Sequence, residues 1–165
     1  MFHARGYDGV GVAEIAQALG VSPPSFYAAF GGKAAFFETV LRAYDATDGL
    51  PLDDILAPGR PVGEALTDLL RQSAERYATQ GDASGCMVIE GRHSNDPEAC
   101  AAADRLGEAA AERIRAFIAI TDPERAQALA DYVVAAMTGL SSAARSGLDT
   151  TRLRAIADLA SRAFA

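Results

Sequence analysis

The chain has no tryptophan, two cysteines, two histidines, and 15 lysines and arginines against 22 aspartates and glutamates. Each shortage excludes something. Cys86 and Cys100 cannot build a multi-disulfide framework, and two thiols suit a reducing compartment. Cys86, His93 and Cys100 give a C-x6-H-x6-C spacing, too wide for the close ligand pairs of a structural zinc site, so no metal is expected. With His3 and His93 as the histidines, no Ser–His–Asp order is convincing. Arg92 and His93 beside Asp96 read as a solvated turn or cap rather than a catalytic dyad. Gly6, Gly9 and Gly11 follow no strand, so they form no phosphate-binding loop. An enzyme is therefore not expected, and neither catalytic residues nor cofactors are assigned. No apolar run approaches the ~18–20 residues of a membrane span, and no charged-then-apolar leader is seen. A cytoplasmic protein without a membrane partner follows as the expectation. The net charge of −7 argues against unspecific coating of nucleic acid but leaves room for a local contact.

What the chain does have is helix-forming material. Half of it is hydrophobic, much of that alanine, and no long strand-like alternation appears. The sharpest stretch is Gly6 to Phe37. Val12, Ile15, Ala16 and Leu19 recur at i, i+3, i+4 and i+7, an apolar stripe on a short helix. Gly20 can end that helix in a left-handed conformation, and Val21 is expected to plug the turn into the core. Ser22 is a good N-cap, with Pro23 at the first helical position. The second helix then runs to about Phe30. Phe26 and Phe30 lie on its buried side, and Ser25 and Ala28 or Ala29 on other faces. Gly31 and Gly32 break the chain. Lys33 opens a third helix whose Phe36, Phe37, Val40, Leu41 and Tyr44 form a wide apolar face. Helix, tight turn and helix is an arrangement that presents one helix to the DNA major groove.

These residues resemble the DNA-binding domain of the TetR family of bacterial transcriptional regulators. The resemblance rests on Gly6-Tyr7, on Val12, Ile15 and Ala16, on Leu19 to Ser22, on Tyr27 and Phe30, and on Lys33 with the hydrophobic pair after it. Gly85 to Gly91, GCMVIEG, is similar to a segment of one branch of the family. The resemblance implies an all-α fold: a helix-turn-helix DNA-binding domain over 1–46, then a helical ligand-binding and dimerisation domain over 47–165. It places Ser22, Pro23, Pro24 and Ser25 nearest base edges and phosphates, Tyr27 with its hydroxyl on a phosphate, and Lys33 on the DNA backbone. Pro24 has neither a side-chain donor nor an N–H, so it can offer only apolar contact, for example to a thymine methyl. The family usually has a full helix ahead of Gly-Tyr, where this sequence has Met1 to Arg5. Met1 to Asp45 holds Arg5, Lys33 and Arg42 against Asp8, Glu14, Glu38 and Asp45, where a DNA-binding domain is usually basic.

Beyond Tyr44 a helical rhythm continues. Asp48 to Pro61 reads as a loop or broken turn, and a helix then runs to about Thr79, followed by a turn over Gln80 to Ser84 and a short apolar piece, Cys86 to Ile89. Asp96-Pro97 and Asp122-Pro123 are helix-start signals; the helix after the second stops at Gly147, and the last begins near Thr150. By resemblance, an inducer chamber lies among the helices from Val62 to Met137, with Leu66, Leu70, Ile89, Leu106, Phe117, Val133 and Met137 as apolar lining. Tyr77, His93, Arg105 and Tyr132 could orient a ligand there. The small residues Ala135, Ala136, Gly139, Ser142 and Ala143, beside Leu153, Ile156, Ala157 and Ala160, are the candidate dimer interface. The expected partners are a palindromic double-stranded operator, a second copy of the chain and a small-molecule inducer. Two readings stay open: a ligand-responsive DNA-binding repressor, or a small-molecule-binding or interaction dimer that has lost DNA binding through a shortened N-terminus.

Overall fold

A computed structural model describes residues 1–78 and 83–164. Among the described residues the regular elements are helices. They are α1 (Phe2–Arg5), α2 (Val12–Leu19), α3 (Pro23–Phe30), α4 (Lys33–Asp48), α5 (Leu52–Ile55), α6 (Val62–Ala78), α7 (Met87–Gly91), α8 (Pro97–Ala119), α9 (Ala126–Arg145) and α10 (Thr150–Ala160). A 3-10 turn over Ser161–Phe164 follows the last. By compactness the chain forms two units. The first takes Met1–Gly49 and Cys86–Leu106, and the second takes Leu50–Gly85 and Gly107–Ala165.

The first unit is built on α4. Its buried residues Ala34, Phe37, Leu41 and Tyr44 fall at i, i+3, i+7 and i+10, one stripe of a 3.6-residue helix. The one-turn α1 adds Phe2, whose ring meets Phe37 edge-on at 5.0 Å and stacks on Tyr7 at 6.0 Å. From the later segment come Met87 and the alanines Ala99, Ala102 and Ala103, which join the same core. Their small side chains permit a close approach: a Cβ on Gly91 would lie 2.9 Å from that of Ala103.

In the second unit α6 packs against α9 and α10. It buries Leu66, Leu69, Leu70, Ser73, Ala74 and Tyr77, again at helical spacing. Ser73 is fully buried, and its hydroxyl donates to the Leu69 carbonyl at 2.7 Å, so no unpaired polar group results. Arg71 to Asp158 at 2.6 Å, Arg154 to Glu75 at 3.4 Å, and the Arg60–Asp68 pair tie its surface together.

Several sequence expectations change. The stretch 48–61 holds the short helix α5, and the apolar piece Cys86 to Ile89 is helical from Met87 to Gly91. Asp122 caps a turn, accepting from the Arg125 amide at 3.1 Å, and α9 starts only at Ala126. Val21 does not plug the core and Leu19 leaves the apolar stripe: they are 41% and 45% exposed, and the inward side of α2 is filled by Ile15 and Ala16 with Val12 partly buried beside them. Leu153 is fully buried inside the chain, so it cannot meet a second copy. The end of α6 near Thr79 and the turn from Gln80 fall, for residues 79–82, outside the described residues.

Candidate nucleic-acid interface

The turn between α2 and α3 is set by three consecutive signals. Gly20 ends α2 at φ 69° and ψ 26°, a left-handed conformation that costs any other L-residue about 1–2 kcal/mol. The Val21 amide then returns to the Ala16 carbonyl at 3.0 Å. Ser22 is extended, and its Oγ accepts from the Ser25 amide at 3.2 Å. Pro23 and Pro24 occupy the first two helical positions, where a missing N–H breaks no helical bond.

Phe26 anchors α3. It is fully buried, with ring centroids 5.2 Å from Phe30 and 5.4 Å from Phe36. Anchoring that side leaves Ser22, Pro23, Pro24, Ser25, Ala28 and Ala29 exposed. Tyr27 lies next to Phe26, edge-on at 5.7 Å, yet is 51% exposed. Among the described residues no group hydrogen-bonds its hydroxyl.

Lys33 starts α4 at a place unfavourable for a cation, the positive end of the helix dipole. Two neighbours offset this. Its ammonium lies 4.0 Å above the Tyr7 ring centroid. The Tyr7 hydroxyl in turn donates to Asp96 Oδ2 at 2.6 Å, which brings a carboxylate near the lysine. Asp96 also caps α8, accepting the Glu98 amide at 2.9 Å and the Ala99 amide at 3.3 Å. The Tyr7 hydrogen bond, followed by these amides, holds the Asp96 carboxyl below its ordinary range. Burial and then the Asp96 hydrogen bond push the Tyr7 hydroxyl well above its own. This long-range link escapes a reading of local spacing, although each end, Gly6-Tyr7 and Asp96-Pro97, stands out by itself in the sequence.

The surrounding charge is largely neutralised. Arg5 pairs with Glu14, and Arg42 with Glu38 at 2.8 Å, which also takes Arg105 at 2.9 Å.

The residues expected to line a ligand chamber divide between the units. Leu66, Leu70, Tyr77 and Phe117 are buried in the second, with Met137 half-buried. Tyr132 lies on the surface of that unit, donating to the Ala160 carbonyl at 3.1 Å. Ile89 and Leu106 are half-buried in the first unit, where His93 is exposed and Arg105 is held by Glu38. An open groove of about 550 Å³ in the second unit contains none of them; Arg60, Gly63, Thr67 and Phe164 are among its walls. Among the described residues no three His, Cys, Asp or Glu side chains converge on a metal position. The Cys100 thiol is pushed up by burial and by Asp104, to which it donates at 3.5 Å. No described helix is long and apolar enough to cross a membrane.

On α9 the candidate dimer residues Ala135, Gly139 and Ser142 are exposed, and Ala136 and Ala143 half-buried. On α10 Ile156 is 40% exposed and Ala160 half-buried, while Ala157 is fully buried. Leu159, which spacing alone did not single out, is 58% exposed beside Ile156.

A family model described as bacterial regulatory proteins, tetR family, matches residues 1–40. The HTH-type transcriptional repressor BdcR of Escherichia coli (strain K12) is 46% identical over 164 residues, 99% of this chain and 83% of that protein. The HTH-type transcriptional repressor ComR of the same strain is 24% identical over 95% of this chain and 80% of its own length. Among solved structures, the TetR family transcriptional regulator CifR, as a cysteine mutant complexed with 26-bp double-strand operator DNA, superposes with a TM-score of 0.81. It is 30% identical, over 98% of this chain and 90% of that one.

Proposed function

The chain belongs to the TetR family of bacterial regulatory proteins, and from that premise we propose how it works. It is a DNA-binding transcriptional repressor that answers to a small-molecule ligand. Residues 1–46 form the DNA-binding part, and 47–165 bind ligand and dimerise. The observation that carries the DNA assignment is the α3 N-terminus: a capped helix with Phe26 fixed inward and Ser22, Pro23, Pro24, Ser25 and Tyr27 turned outward. Tyr27 and Lys33 reach phosphates on either side, the lysine by leaving the face of Tyr7. The operator complex of CifR, 30% identical, supports this reading over an interaction dimer that has lost DNA binding.

Two copies meet through the exposed faces of α9 and α10, where Ala135, Gly139 and Ser142 let helices approach closely and Ile156 and Leu159 supply apolar area. Such a dimer holds two α3 helices roughly 34 Å apart, the spacing of successive major grooves on a palindrome. A ligand that binds better to another spacing draws the population away from DNA and lifts repression. Leu66, Leu70, Phe117 and Met137 supply the apolar lining of its site and Tyr77 a polar anchor. Most of these side chains are buried, so ligand entry requires the second unit to open, which is the shift itself. On this reading the protein acts by binding rather than by catalysis and works in the cytoplasm, where bacterial operator DNA lies.

The test is a duplex-binding titration of the dimer with Tyr27→Phe alongside. Losing one phosphate hydrogen bond lowers affinity roughly equally for every sequence bound. Equal affinity for the variant and the wild type removes Tyr27 from the interface.

A further inference from the structure

The outward face of α3 carries no charge and no amide side chain. Phe26 is fully buried and Phe30 half-buried, which fixes the inward direction. At 100° per residue the opposite direction falls on Ala28, with Pro24 and Ser25 to its two sides. All three are exposed. The helix end is equally poor in backbone donors. Pro23 and Pro24 have no N–H, and the Ser25 amide is taken by Ser22 Oγ. A phosphate therefore finds none of the free amides that make other helix N-termini anion sites. The two serine hydroxyls lie 2.8 Å apart and bond each other.

Beside the Ser22–Ser25 hydroxyl pair, which hydrogen-bonds to several base types alike, the groups left for base reading are apolar: a rigid pyrrolidine ring and a methyl group. Guanine is read by arginine or lysine and adenine by asparagine or glutamine, and α3 has none of these. The apolar group that a base presents in the major groove is the C5 methyl of thymine. We propose that Pro24 and Ala28 are specificity-determining residues that read thymine methyls in each half-site. This rests on the assignment of α3 as the recognition helix. Neither side chain loses rotamer freedom on binding, so contact with a methyl is not offset by ordering a long side chain.

The experiment replaces thymine with deoxyuridine in duplexes selected from a random library. Deoxyuridine keeps the base pair and O4 and removes only the methyl. Each methyl read by Pro24 or Ala28 should be worth roughly fourfold in affinity, and roughly fifteenfold when lost from both half-sites. Pro24→Ala puts a good helix former in the first turn, so circular dichroism should show no loss of helix while the preference for thymine over deoxyuridine shrinks. Equal binding of thymine and deoxyuridine duplexes overturns the proposal and leaves α3 as the recognition helix. Half-sites selected without thymine overturn it too. Failure to select any duplex overturns the recognition assignment itself, and the proposal with it.

Discussion

Gly91→Ala adds a single methyl group to the first unit, and the surroundings fix the sign of its effect. The new Cβ would stand 2.9 Å from the Cβ of Ala103, 3.0 Å from Phe37 Cζ and 3.1 Å from Phe37 Cε1. Carbon atoms sit comfortably at about 3.5–4.0 Å, so neighbours must retreat by about half an ångström or more. Ala103 cannot retreat by changing rotamer, because its Cβ is fixed by the α8 backbone. Phe37 is 1% exposed and wedged among Phe2, Tyr7 and Ala103. Overpacking of this kind costs about 1–3 kcal/mol. Alanine's better helix propensity returns at most about 1 kcal/mol, and less at the last residue of a helix. The net loss is about 1–2 kcal/mol, or a fall in melting temperature of roughly 2–8 °C for a chain of this size. Thermal melts followed by far-UV circular dichroism, with urea titrations alongside, measure it. An unchanged or raised melting temperature would refute the close packing of α7 on α4 and α8.

Gly139→Ala has the opposite expectation within one chain, since nothing lies within 4 Å of its Cβ position. Helix propensity alone would stabilise a monomer by about 1 kcal/mol; if Gly139 sits at the dimer contact, light scattering will instead show weaker self-association. Salt dependence of duplex binding should be shallow, with a slope between about −2 and −4 for a dimer, because within residues 1–46 Arg5 and Arg42 are ion-paired and Lys33 is the remaining basic side chain besides His3. A slope steeper than about −6 would mean phosphate contacts from elsewhere. Tyr7→Phe removes the hydroxyl that holds the Asp96 carboxyl low. A carboxyl lowered in the folded state stabilises above its ordinary range and loses that contribution as pH falls through the lowered value. The stability gap between wild type and Tyr7→Phe should therefore be wide near neutrality and shrink below about pH 4.

Elements with their own punctuation were legible. Gly20, Ser22 and Pro23 mark the end of α2 and the start of α3 because a left-handed glycine, a hydroxyl cap and an amide-free first position each act within a few residues. Asp96-Pro97 marks α8 for the same reason. Misreadings arose where a local signal had two outcomes. Asp122 caps equally well a turn or a helix, and it caps a turn. The five residues of α7 are too few for a period to show. Val21 is apolar, but which way it points depends on packing by α2, and that is a tertiary fact. The bond between Tyr7 and Asp96 joins positions 89 residues apart and could not be inferred from spacing. The ligand chamber is implied by resemblance alone, since hydrophobic spacing does not separate a pocket wall from a core.

Selection of duplexes from a random-sequence library by the purified protein tests the central claim most directly. The account predicts enrichment of a two-fold-symmetric site whose half-sites lie about one helical turn apart, bound by a dimer. Recovery of sequences with no shared motif, at an affinity no better than that for the starting library, would contradict it.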